Sequence, residues 1–252
     1  MTQTIEIVLS KPVNLRDLGG TPVAGGVVAQ GFAIRSDDLS TIPAETAEEL
    51  VVGGLRSVID LRSRNEVQVT GRGPLLDQPV SYHHVPFMSS LGSPKLANLA
   101  PGQIPDMSDF YPALFESAAA QIVSALAILA HAPGAVAFHC AAGRDRTGVL
   151  AAALLLTLGA DDDTIVAEYE LTHPNTEAIM TRLAPNMRQV MLAVGFDVDP
   201  AVRQAAQKPG ADDAMRVTLH RLRERHVDPL APLVAAGLND RLVGQLRERA
   251  GV

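Results

Sequence analysis

The chain has 252 residues, 47% of them hydrophobic, which is enough for one large α/β domain or two small ones with a substantial core. Its formal charge of -7 arises from acidic and basic residues mixed along the chain, so a nucleic-acid groove is excluded as the main surface and any anion site must be local. The one cysteine cannot form an internal disulfide, and its neighbours do not repeat a metal-ligand spacing, so Cys140 is either a small core residue or a reactive thiol.

The first ten residues, Met1 to Ser10, carry no basic segment followed by an apolar run of about 7–15 residues. No stretch elsewhere approaches about 18 uninterrupted apolar residues. These features predict a soluble, cytoplasmic protein without a transmembrane segment, although export without a signal peptide leaves no trace in composition.

Four short apolar or β-branched runs predict strands at Gly31–Arg35, Ser57–Leu61, Tyr82–Pro86 and Ala135–His139, each bounded by Gly, Pro or polar residues. Between them, Ala44–Val52 predicts a helix closed by Gly53–Gly54, and Ser108–Ala130 predicts one long helix stopped by Ala132–Pro133–Gly134. Gly148–Leu158 is continuously apolar and small, which predicts a buried helix ended by Gly159. The acidic trio Asp161–Asp163 then caps a helix over Thr164–Thr172. From His173 onward the pattern is helical, with breaks at Pro185, Pro200, Pro209 and Pro229. Strands alternating with helices predict an α/β fold with a mostly parallel central sheet and a helical C-terminal part, in a single domain over 1–252. The Gly-, Pro- and Ser-rich stretch Ser89–Pro105 is a candidate cleft wall. Residues 173–210, with Met180, Met187 and Met191, are a candidate helical lid, although a methionine stripe is more often ordinary core.

The segment from Phe138 to Gly148, FHCAAGRDRTG, lies between a predicted strand and the apolar helix. A loop entering a helix N-terminus points unpaired backbone N–H groups into one small space, and the helix dipole makes that space favour anions. Ala141, Ala142 and Gly143 let the backbone wrap closely. With five residues between them, Cys140 can lie beneath a phosphoryl group while Arg146 returns to grip two of its oxygens. The same field favours the thiolate. Attack on phosphorus would give a phosphocysteine, later hydrolysed by water, with the transferring charge held by Arg146 and the N–H groups. The phosphate-binding set is Ala141, Ala142, Gly143, Arg144, Asp145 and Arg146. Thr147 can donate to the departing sulfur, and His139 can orient the loop. No metal or other cofactor is required. His83 and His84 point to opposite faces of a strand, so they do not share an ion with His139 easily.

The string from His139 to Gly148 resembles the signature of protein tyrosine phosphatases, most closely the bacterial atypical tyrosine/serine group, which includes a secreted mycobacterial enzyme acting on phosphotyrosine and phosphoinositides. Asn14–Gly20, Ile34–Ser36, Asp60–Ser63 with Glu66, Ile165–Tyr169 and Ala236–Leu238 also fit, so the resemblance spans roughly 13–248. It implies a phosphatase fold whose sheet presents the loop at the C-terminal end of a strand, and a phosphorylated protein or phosphoinositide as partner. Arg16, Asp17, Arg35, Asp60 and Arg62 read as a charge network bracing the sheet ends. In such relatives an acidic residue can follow the Pro-Phe pair. Here Pro86-Phe87 is followed by Met88-Ser89-Ser90, which leaves Asp145 as the general acid, with Asp109 and Asp106 in reserve or acting as helix caps. Arg144 stands where many relatives carry Lys, a position that goes with activity on phosphoinositide headgroups; its alternative is pairing with a neighbouring carboxylate. Three further readings stay open: a phosphoinositide or small-phosphoester phosphatase, a rhodanese-like sulfur transferase, which leaves Arg146 and Thr147 unexplained, and a binding module without turnover.

Overall fold

The computed structural model describes residues 7–88, 109–193 and 213–252. Its strands are β1 (Arg16–Asp17), β2 (Pro22–Val23), β3 (Gly26–Val27), β4 (Ala33–Ser36), β5 (Leu55–Asp60), β6 (Ser81–His84) and β7 (Ala135–His139). The helices are α1 (Ala44–Val52), α2 (Arg64–Thr70), α3 (Phe110–Ser117), α4 (Ala119–His131), α5 (Asp145–Leu158), α6 (Asp162–Glu170), α7 (Thr176–Ala193), α8 (Ala214–His226), α9 (Ala231–Ala235) and α10 (Asp240–Ala250).

The four expected strands form the parallel part of one sheet of order β1-β4-β7-β5-β6, and the two-residue β1 adds an antiparallel edge. All five residues of β7 are buried, as an unbroken apolar run in the middle of a sheet covered on both faces requires. Register decides where the chemistry falls. Ser36, His139 and Asp60 lie level across β4, β7 and β5, so the chain segments after them emerge together at the carboxyl edge. β2 and β3 form a separate hairpin. Asp17 pins the turn regions beside it by accepting from the N–H groups of Gly19 and Gly31, at 2.8 and 2.6 Å, rather than by pairing with an arginine.

α5 begins three residues earlier than the apolar run suggests, and every residue from Arg146 to Leu158 is buried. Full burial of one of its leucines contributes about 1.5–3 kcal/mol relative to exposure, so the helix is held by its surroundings rather than by propensity. Gly159, at φ 85°, closes it in the left-handed conformation, its N–H reaching back to Leu155. The stretch predicted as one long helix is instead two, bent by 70° at Ala118. No Gly or Pro marks that bend. Ala118 is fully buried, and α3 packs on α5 and α8 while α4 packs on α9 and α10, so packing overrides local helix propensity. No single helix among the described residues is long and apolar enough to cross a membrane.

Pro185 does not break the chain as expected but lies inside α7. That helix is anchored on both sides of the proline. Arg182 binds Asp37 and the Ser10 carbonyl, and Asn186 exchanges two hydrogen bonds with the backbone of Val8. Ile179, Leu183 and Met187 pack with Ala141 and Val13, so this part of the candidate lid is core against the loop. Residues 194–210 and the cleft wall Ser89–Pro105 lie outside the described residues. α2, not foreseen, starts with a capping box in which Ser63 and Glu66 satisfy one another's backbone N–H groups.

Candidate active site

Cys140 leaves the end of β7 in a buried position, 1% exposed, and the chain turns through Gly143 into α5. Among the described residues, none of the backbone N–H groups from Ala141 to Thr147 donates to a protein acceptor. Seven donors left free at a helix N-terminus are an arrangement that suits an anion.

The loop is held from outside. Gly143 has φ 66°, and a Cβ there would lie 2.5 Å from the Ser36 carbonyl oxygen and 2.6 Å from the Asp37 nitrogen, so both conformation and space demand glycine. Its carbonyl accepts from Arg35 Nη2 at 2.7 Å and from Asn14 Nδ2 at 3.2 Å. Arg35 is in turn fixed by Glu168, whose other carboxylate oxygen takes Arg16 Nε at 2.8 Å. The Ala141 carbonyl accepts from the Asp38 N–H. Asp37, fully buried, receives the N–H groups of Val13 and Asn14 and Arg182 Nη1. The expected bracing role of Arg16 and Arg35 is thus specific: they hold one carbonyl of the loop.

A second network lies under the strand ends. Arg62, 1% exposed, spends its guanidinium on Asp60, Asp38, Ser40, Thr70 and the Gly71 carbonyl. Asp60 also accepts from Tyr82 and is held well below the usual carboxylate range: His139 and Arg62 beside it outweigh the burial that opposes its charge. His139 is fully buried, and desolvation pushes its pKa down in spite of the nearby carboxylates. The neutral ring accepts from the Leu39 N–H through Nδ1, and Nε2 faces Asp60 at 3.7 Å. It ties the strand end to the segment after β4.

Arg146 is 7% exposed, and its Nη1 and Nη2 donate to the two oxygens of Glu66 at 2.6 and 2.9 Å. Burial opposes ionisation of Glu66, but the adjoining guanidinium prevails and lowers its pKa; Glu66 in turn raises that of Arg146 against the same burial. Glu66 takes the end of the guanidinium fork, which leaves the Nε–Nη2 edge available to a second oxyanion. The Thr147 hydroxyl is buried with no partner among the described residues.

Asp145, in the first turn of α5, accepts a short hydrogen bond from the Tyr111 hydroxyl. Tyr111 Oη lies 2.9 Å from Tyr169 Oη, and Arg144 Nε donates to Tyr169 Oη at 3.2 Å. Arg144 therefore contacts a phenol through one of its five donors rather than pairing with a carboxylate there. Asp109 occupies the N-cap position of α3 but makes no cap hydrogen bond; Arg221 and Arg225 take its carboxylate at 2.7 and 3.1 Å. Asp106 lies outside the described residues. His84 Nε2 hydrogen-bonds the Arg62 carbonyl. Sequence reasoning had assigned no role to Glu66, Asp37, Arg182, Tyr111 or Tyr169. The Ser63–Glu66 spacing signals α2 but not the partner of its glutamate.

A family profile described as the tyrosine phosphatase family matches residues 7–250. A Cupriavidus necator protein, whose name places it among the tyrosine-protein phosphatases, is 31% identical over 75% of this chain and 68% of its own. The triple specificity protein phosphatase PtpB of Mycobacterium tuberculosis is 27% identical over 70% of this chain and 72% of its own. A tyrosine-protein phosphatase of Nostoc commune is 26% identical over 59% of this chain and 50% of its own.

Proposed function

This chain belongs to the tyrosine phosphatase family, and from that premise we propose that it hydrolyses phosphotyrosine, and phosphoserine or phosphothreonine as well, through a phosphocysteine on Cys140. The observation that carries the reading is the pairing of a buried cysteine, followed by seven N–H groups without a protein acceptor among the described residues, with an arginine fixed beside it by Glu66.

In the first step the Cys140 thiolate attacks phosphorus in line with the P–O bond. That bond breaks as Asp145 gives its proton to the departing oxygen. The equatorial oxygens gather charge, which the loop N–H groups and the free edge of Arg146 stabilise without reorganising. In the second step water attacks phosphorus, Asp145 takes its proton, and the P–S bond breaks to release phosphate. The Thr147 hydroxyl, without a partner among the described residues, donates to the sulfur as it leaves.

A second reading rests on Arg144. Among the described residues only its Nε is engaged, by Tyr169, so its terminal nitrogens can meet a second phosphate on a phosphoinositide headgroup. Phosphate release by wild type and Cys140→Ser from phosphotyrosine, phosphoserine and phosphothreonine peptides and from phosphoinositides, without added metal, tests both. Activity lost in the variant, with a phosphocysteine trapped by acid quench in wild type, supports the mechanism, and the preferred substrate decides between the readings. A wild type that releases nothing from any of them overturns the catalytic reading in favour of a binding module.

A further inference from the structure

We propose that Tyr111 and Tyr169 form a positioning pair that aims the carboxyl of Asp145 at the leaving-group oxygen. The proposal rests on the reading of Asp145 as the general acid.

The hydroxyls of the pair can be ordered in one direction. Arg144 Nε donates to Tyr169 Oη, and arginine can only donate, so Tyr169 is left to pass its own proton to Tyr111 Oη at 2.9 Å. Tyr111 then has one proton left, and it goes to Asp145 Oδ1. With Oδ1 occupied, Oδ2 is the oxygen that carries the acid proton and gives it to the ester oxygen as the P–O bond breaks. The same Oδ2 takes a proton from water in the second step. A carboxyl without this tether would rotate about its last torsion and present either oxygen, or neither, to the substrate.

The pair is built into the core rather than laid over it. Tyr111 and Tyr169 are each 1% exposed and meet edge to face, with ring centroids 6.1 Å apart. Tyr111 comes from α3 and Tyr169 from α6, so two helices converge on the first turn of α5. Gly148 is shaped for this: a Cβ there would lie 2.9 Å from the Tyr169 ring. The phenols stay protonated through the whole range of turnover. Burial, joined by the charge of Asp145, raises both, Tyr111 the further. They hold Asp145 without competing for its proton.

The test compares turnover of aryl phosphates by the wild type, Asp145→Asn, Tyr111→Phe and Tyr169→Phe. The leaving groups run from dinitrophenol, which needs no proton, to phenol, which does. Wild-type kcat is expected to vary little along the series. Asp145→Asn should lose about 10²–10⁴-fold on phenyl phosphate and far less on the dinitrophenyl ester. Tyr111→Phe, which keeps the ring and removes one charge-assisted hydrogen bond, should show the same slope with a loss of about ten- to a hundredfold on phenyl phosphate. Tyr169→Phe should follow with a smaller loss and serves if Tyr111→Phe does not fold. A steep Asp145→Asn series beside tyrosine variants that are flat, or uniformly slow on every ester, overturns the positioning pair while leaving the acid in place. A flat Asp145→Asn series removes the acid, and the pair with it.

Discussion

Replacing Glu66 by alanine separates what the Glu66–Arg146 pair does for the fold from what it does for turnover. The two side chains are 3% and 9% exposed and joined by two hydrogen bonds, so the variant strands a buried guanidinium. Removing one partner of such a pair costs about 3–5 kcal/mol, or about 6–20 °C in Tm for a chain of this size. The Arg146 side chain keeps 9% of its surface exposed, so the lower end is expected. Glu66 also accepts from the Ser63 N–H at 2.7 Å, and that share must be subtracted. Ser63→Ala keeps that N–H and removes only the hydroxyl that accepts from the Glu66 N–H, the other half of the capping box; it bounds what the box contributes, and it should cost about 1 kcal/mol and leave kcat nearly unchanged. In Glu66→Ala an untethered Arg146 should lower kcat by about 10²-fold. Acid adds a check whose sign is set by linkage. Glu66 has a depressed pKa in the folded protein, so its contribution is full above the unfolded carboxyl value of about 4.3 and is lost as pH falls through the folded value. The stability gap between wild type and Glu66→Ala, followed by urea denaturation, should therefore be constant near neutrality and close on acidification. A variant with wild-type Tm and kcat, or a gap that widens in acid, would refute the assignment.

Gly143→Ala should cost about 1–2 kcal/mol for the left-handed backbone alone, and the contact with Ser36 should push the loop out of shape, so kcat falls far more than Tm; equal, small effects on both would contradict this. Glu168→Gln leaves Arg16 and Arg35 sharing a neutral partner and should lower the urea midpoint by an amount equivalent to about 3 kcal/mol, while loosening the Gly143 carbonyl and reducing kcat. Because His139 is buried neutral, the unfolded chain binds a proton that the native chain refuses once pH drops below about 6.5, and wild-type stability should decline from there. His139→Asn, which keeps an acceptor for the Leu39 N–H, should flatten that part of the stability profile, as denaturant titrations at several pH values can read.

The strand, loop and helix around Cys140 were legible because their physics is local. A buried strand ending at His139, then Cys140, five residues, an arginine and an apolar helix all fall within about a dozen positions, and α1 and β7 have the bounds that composition and periodicity predict. The partners of the loop were not legible, because nothing in a short window ranks one distant carboxylate over another. Glu66 meets Arg146 across 80 residues, Asp37 meets Arg182 across 145, and Tyr111 meets Asp145 across 34. The bend at Ala118 and the passage of α7 through Pro185 go against local propensity, which surrounding contacts override. Sequence by itself determined where the strand-to-helix loop lies and which of its residues are candidates for holding a phosphoryl group. Only the tertiary structure decided which buried groups neutralise and aim them, since a buried charge takes its partner from whatever the fold brings within hydrogen-bond reach.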